Sequence, residues 1–356
     1  MAYKIFYIDD LETESRKKDM EDLGYIVKLY DPSSDLNDLF IAIEDDTDAV
    51  VLDYRLTKGK NNACFDAPTI AQTLRTKHKD DDKGIPLILM SNEKIKVNEY
   101  DKDFTSQDLF DFVLTKEDFT RGMKNFKSKL DSFIEAYKVI KRENDLVKIL
   151  GLKQDEILLN SRFIALFDKP GNNQLKISSL VYDNLISAIG LTVGEDVLSA
   201  RLGISKESED WDKLLKSLEK AMYTGIFSDT KQRWWMEKVN LWWKELISDT
   251  VPIKRLNAEE RVNLIREKLK LKGLDVAIKS KYSKSTNFWT ICKYSKQPLD
   301  PFDGIELLKE YLPWQEKEYL SIDSALLNKE EYQNRISNID KKAIRELANK
   351  INTGAK

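Results

Sequence analysis

Four short apolar runs, each closed by a polar or charged residue, punctuate the first 120 positions of the chain. Residues 4–8 precede Asp9 and Asp10, 49–52 precede Asp53, 86–90 precede Ser91, and 112–115 precede Lys116. Runs this short and this continuously apolar predict strands buried on both faces, the habit of a parallel sheet. Between the second and third runs lies a long stretch, residues 57–84. Its polar segments, 58–62 and 80–82, predict two loops flanking a helix from Pro68 to Lys77. After Thr120 the period changes. Phe126, Leu130, Phe133, Ile134, Tyr137 and Ile140 recur at three- and four-residue intervals, which predicts one long helix to about Leu150. Its first half should close the N-terminal module. Its second half either projects as a connector and dimerisation stem or ends as a simple cap.

Beyond residue 150 the pattern is mainly helical, with no repeat at fixed period. Helices are predicted over 155–167, 177–189, 210–222, 231–248 and 258–272. Asn257 and Glu260 form a capping-box pair for the last of these. The loop sequence Pro170-Gly171-Asn172-Asn173 marks a split near residue 170. From 273 to 303 the helical period fades, with a short strand expected over 288–292 and a turn between Pro298 and Pro301. The polar tail from Lys341 is expected to fray. The expected organisation is a module over 1–120, a closing and connector helix over 121–150, and a helical output region over 151–356.

Charge divides the chain more sharply than its formal net of −3 suggests. Residues 1–120 hold 16 Lys/Arg against 27 Asp/Glu, whereas the remainder holds 42 against 34. An acidic module joined to a basic one fits docking between the two, an anionic partner for the basic part, or two ordinary solvated surfaces. No run of about 18 apolar residues exists, and the N-terminus leaves no room for a signal peptide, so a cytoplasmic location is expected. Cys64, Cys292 and the single His78 are too few for a disulfide framework or a zinc site.

In an open parallel sheet the side chains just past the strand carboxyl ends converge on one crevice. Asp9, Asp10, Asp53, Ser91 and Lys116 would therefore meet. Clustered carboxylates need a cation, and an all-oxygen donor set suits Mg²⁺. The ordered set Asp-Asp, Asp, Ser, Lys resembles the receiver domain of two-component response regulators over roughly residues 1–120. That resemblance implies a doubly wound, five-stranded flavodoxin-like fold. It assigns Asp9, Asp10, Asp53 and the backbone carbonyl of Arg55 to Mg²⁺, and makes Asp53 the phosphoacceptor. Lys116 would pair with one phosphoryl oxygen and the Ser91 hydroxyl would bond another as the switch.

Several positions depart from the receiver pattern. Thr57 stands where a Pro is usual, and Asn92 where a small residue follows the switch hydroxyl, which could narrow access to Asp53. Glu117 replaces the Pro after the Lys. Val113 occupies the place of the aromatic switch residue, and Phe112, one position off, should point to the opposite face. The phosphorylation chemistry is present; the usual aromatic readout is not.

Two C-terminal features invite a functional reading. Trp234, Trp235, Trp242 and Trp243 sit in pairs eight apart within a predicted helix, either as a core stripe or as an interface. Lys279, Lys281, Lys284, Lys293 and Lys296 interleave with Tyr282, Phe288, Trp289 and Tyr294. That pattern suits a nucleic-acid track, and equally a solvated loop over an aromatic core. The segment Ser199 to Ser205 looks like the first half of a helix-turn-helix, but Glu209, Asp210 and Asp212 put acids where a recognition helix meets phosphate. No catalytic constellation stands out after residue 120, so no enzyme activity is expected. The expectation is an atypical response regulator, phosphorylated by a histidine kinase or phosphotransfer protein and acting through a C-terminal protein contact or homodimer. The alternatives are a DNA-binding transcriptional regulator and a receiver-like scaffold without phosphorylation.

Overall fold

The structure is a computed structural model. It describes residues 2–9, 13–32, 35–43, 45–56, 63–77, 84–143, 145–153, 161–169, 173–327 and 332–353. The chain forms two compact units. The first comprises Met1–Ile157, Ile164–Tyr182 and Gly225–Thr230; the second comprises Leu158–Phe163, Asp183–Thr224 and Lys231–Lys356.

The first unit is built on five strands: β1 (Lys4–Ile8), β2 (Ile26–Tyr30), β3 (Ala49–Leu52), β4 (Leu87–Ser91) and β5 (Phe112–Thr115). Their order is β2-β1-β3-β4-β5 and every neighbouring pair is parallel. This is the doubly wound, flavodoxin-like arrangement. Because strand side chains alternate, Phe6, Ile8, Val50, Leu52, Leu87 and Leu89 share one face. They pack with Leu39 of helix Leu36–Ala42 and with Ile70 and Leu74 of helix Ala67–Lys77. The edge strand β2 is the one the apolar runs did not delimit. It buries Val27 but exposes Ile26 and Lys28, so its hydrophobic signal is weak.

The predicted helix over 120–150 is three helices. Lys116–Arg121 ends at Gly122, Met123–Arg142 follows, and Glu143 turns extended (φ −115°, ψ 121°) before the short helix Leu146–Ile149. The second half of Met123–Arg142 does not project, since Ala136, Tyr137 and Ile140 are buried in this unit. Its apolar stripe faces a core along its whole length. A buried polar knot anchors it. Asp111 Oδ2 accepts from Arg75 Nη2 at 2.8 Å and from the Leu87 N–H at 2.8 Å, while Tyr137 Oη donates to Asp111 Oδ1 at 2.7 Å.

The second unit is mainly helical, as expected, with two-stranded ribbons set among its short helices. Arg233–Trp235 is a strand, antiparallel to Thr192–Gly194, and the helix predicted over 231–248 begins only at Met236. Helix Ala258–Leu269 has the expected capping box. The Asn257 side chain accepts the Glu260 N–H at 3.0 Å, and the Glu260 carboxylate accepts the Asn257 N–H at 2.8 Å. The expected strand near 290 is Thr290–Ile291, paired with Pro298–Leu299. The C-terminal tail is not frayed over its described length: Asn338–Thr353 is a helix that buries Ile344 and Ala348. Of the helix predicted over 155–167, residues 155–160 lie outside the described residues and Ser161–Ile164 is helical.

Candidate functional site

Asp9 follows β1, Asp53 follows β3, Ser91 ends β4, and Lys116 begins the helix after β5, so all four lie at the carboxyl edge of the sheet. Ser91 is in register with Thr115. Thr115 caps the next helix, its hydroxyl accepting the Asp118 N–H at 2.9 Å while Asp118 accepts the Thr115 N–H at 3.4 Å. That double bond fixes the backbone from which Lys116 reaches back over the sheet.

Lys116 Nζ lies 3.0 Å from Asp9 Oδ2 and 3.2 Å from Asp53 Oδ2. Both carboxylates are buried. The other Asp53 oxygen, Oδ1, accepts the Tyr54 N–H at 2.9 Å. Burial pushes the Asp53 carboxyl up to about 6; Lys116 opposes the rise and Asp9 adds to it. Ser91 Oγ is buried and has no hydrogen-bond partner among the described residues. A buried hydroxyl left unpaired costs free energy, so its retention here calls for an explanation.

One member of the site escaped the sequence reading. Tyr7 Oη donates to Asp9 Oδ2 at 2.5 Å, and burial first, then Asp9, raises its phenol well above its ordinary value. The signal was available, because Tyr7 and Asp9 are two apart along an extended segment and share a face.

The departures from the receiver pattern take definite forms. Asn92 does not turn toward Asp53; its side chain caps the helix Glu93–Asn98, accepting the Ile95 N–H at 3.0 Å. Glu117 lies in the first turn of the helix that Lys116 opens. Phe112 packs on the face opposite Val113, its ring 5.2 Å from Phe133 and 6.4 Å from Phe126. Val113 packs with the other face's core. The Arg55 guanidinium is held by Glu99, with Nε 2.7 Å and Nη2 2.6 Å from Oε2. Asp10, Thr57, His78 and the loops 58–62 and 80–82 lie outside the described residues.

The C-terminal candidates fare differently. Trp234, Trp235, Trp242 and Trp243 are all buried, between 1% and 6% exposed, so they form core and not an interface. The first pair sits on a strand and only the second on a helix, which removes the single-helix stripe. The lysines do not act as one row. Lys279, Lys281, Lys284 and Lys296 are exposed, whereas Lys293 is drawn to Glu318 at 2.7 Å. In the helix-turn-helix candidate, Arg201 is buried and pairs with Glu316 at 2.7 Å, so it has no cation to offer DNA.

No family model matches the chain, and no curated protein matches it. Solved structures of receiver domains do. A CheY-like response regulator receiver domain from Methylobacillus flagellatus is 19% identical, with 36% of this chain and 99% of that chain covered and a TM-score of 0.29. The receiver domain of a sensor histidine kinase from Pseudomonas aeruginosa, solved with magnesium in its active-site cleft, is 14% identical over 38% and 99% of the two chains, TM-score 0.29. The response regulator TrrA from Thermotoga maritima, in complex with Mg²⁺-BeF, is 18% identical over 36% and 98%, TM-score 0.28. The all-parallel strand order gives the first unit its flavodoxin-like fold.

Proposed function

We propose that the first unit is a phosphoacceptor switch that takes a phosphoryl group on Asp53 from a histidine kinase or a phosphotransfer protein. The observation that supports this most is the bridging of Asp9 and Asp53 by Lys116 beside an unpartnered Ser91 hydroxyl. An Asp53 oxygen would form the new P–O bond as the donor's bond to phosphorus breaks, the electron pair leaving with the donor. Lys116 would then pair with a phosphoryl oxygen in place of the free carboxylate. The Ser91 hydroxyl would gain its missing partner by donating to another.

The hard oxygen donors Asp9 and Asp53 at the described site suit Mg²⁺, and they would hold it together with the Arg55 carbonyl and Asp10, which lies outside the described residues. When bound, the ion would neutralise charge spread over the phosphoryl oxygens. The second unit would act by contact with another molecule, not by catalysis. Intact-mass measurement after treatment with acetyl phosphate and Mg²⁺ tests the reading, and a Mg²⁺-dependent adduct lost in Asp53→Asn is expected. An adduct that persists in Asp53→Asn, or none with Mg²⁺ present, would reduce the unit to a docking scaffold.

A further inference from the structure

The second unit holds a cleft of about 600 Å³ that no part of the phosphoacceptor chemistry uses. Its volume is that of a small-molecule site. Residues far apart in sequence line it: Lys254 and Arg255 from the turn before helix Ala258–Leu269, Trp289 and Thr290 from the ribbon, and Phe302 from the turn Pro301–Asp303.

Its charge is one-sided once existing contacts are counted. Lys254 and Arg255 are exposed, and neither makes an ion pair among the described residues. Buried Arg261, also lining the cleft, donates to the carbonyls of Ile253, Arg201 and Phe288 at 3.0, 2.9 and 2.7 Å, and the charges of Asp300 and Glu260 act on it without an ion pair among the described residues. Of the two acids in the lining, Glu316 is ion-paired and Asp300 is left as the single carboxylate facing three cations. Glu316 accepts from Arg201 Nη2 at 2.7 Å, and Asp300 caps its own turn by accepting the Phe302 N–H at 3.0 Å. Lys254 Nζ stands 5.0 Å from the centre of the Trp289 ring and Arg255 is exposed, so two solvent-facing cations and the buried Arg261 border the cleft.

The aromatic side is equally specific. Phe302 is 98% exposed, although a phenyl ring gains substantially from burial. It sits on a turn pinned by Asp300, so its ring is presented from a fixed backbone. Thr290, which lines the cleft, has a buried Oγ1 with no hydrogen-bond partner among the described residues. A bare anion would leave Phe302 unexplained, and an apolar ligand would leave Lys254 and Arg255 unmatched.

We propose that this cleft binds a nucleotide moiety, with its phosphate against Lys254 and Arg255 and its base on Phe302. Rings for bases and cations for phosphates are what such a ligand requires. The moiety belongs either to a free nucleotide or to an unpaired strand. This set differs from the lysine row read from sequence; Lys293 and Lys296 line a separate cavity of about 460 Å³.

The test uses the full chain at low salt, with calorimetry against adenosine triphosphate and inorganic phosphate and anisotropy of a labelled oligothymidylate. Binding of adenosine triphosphate identifies a free nucleotide as the source; binding of the oligonucleotide alone identifies a strand. In either case Phe302→Ala should weaken binding about ten-fold, the scale of base–aromatic stacking. For a strand, Lys254→Ala with Arg255→Ala should also lower the salt slope by about 0.7 per lost contact. These three side chains are exposed, so circular dichroism should show both variants folded. No binding of either nucleotide probe by the wild-type chain overturns the proposal. So does binding indifferent to Phe302→Ala, or displacement by inorganic phosphate as effective as by adenosine triphosphate.

Discussion

Lys116 holds Asp53 at 3.2 Å and still does not offset the cost of that carboxylate's burial. Asp53 in the fold keeps its proton up to about pH 6, against 3.8 when unperturbed. Between those values the native state binds more protons than the unfolded chain, so stability falls as pH rises through the window. Asp53→Asn removes this titration. In chelator, the variant should be more stable than the wild type by about 2 kcal/mol at pH 7, with the gain gone at pH 4. Urea unfolding at the two pH values measures it; a variant no more stable at pH 7 would contradict the burial argument.

Ser91 should separate stability from switching. Because its hydroxyl makes no hydrogen bond among the described residues, Ser91→Ala should leave thermal unfolding within about 0.5 kcal/mol of wild type. The same change should weaken retention of beryllofluoride, read by fluorine nuclear magnetic resonance. A large stability loss instead would mean that the hydroxyl already has a structural partner.

Asp111 is the centre of its knot, and its partners are not equivalent. Asp111→Ala strands a buried guanidinium and the Leu87 N–H, and should cost about 3–5 kcal/mol. Tyr137→Phe removes a neutral hydroxyl that donates to Asp111 and accepts from Arg75 Nη1 at 3.3 Å, and should cost about 2 kcal/mol. Circular dichroism during denaturant titration gives both values, and equal losses would refute the ranking.

Neighbouring tryptophans should also differ. Trp243 Nε1 donates to the Val251 carbonyl at 2.9 Å, whereas the Trp242 Nε1 is buried without a partner among the described residues. Replacement by Phe removes a similar volume from each site. Trp243→Phe should therefore cost about 1 kcal/mol more than Trp242→Phe. Neither variant should alter the mass seen by light scattering, because both side chains lie in the core.

Asp9, Asp53, Ser91 and Lys116 were legible because each stands at the end of an apolar run, a purely local mark that Tyr7, inside the first run, does not carry. The same locality explains the misses. Gly122 breaks the long helix, but a single Gly within a strong periodic pattern is tolerated often enough to be overlooked. Trp234 and Trp235 fall on a strand because Arg233–Trp235 pairs with Thr192–Gly194, some forty residues away in sequence, and no local period reports such a partner. Gly203 is similar. It adopts φ +74°, and a Cβ there would come within 2.6 Å of the Ala258 Cα, a closeness set by a helix that begins far downstream. The C-terminal helix hid behind its polar composition, since Ile344 and Ala348 form a narrow apolar stripe among charges.

All seven tryptophans, Trp211, Trp234, Trp235, Trp242, Trp243, Trp289 and Trp314, belong to the second unit, and the first contains none. Indole emission is thus a private optical channel for one half of the molecule. Melting of the receiver-like half will be silent in that channel and visible only through tyrosine. A thermal scan that follows both chromophores can therefore say whether the halves melt together or in turn, with no label attached and no residue changed.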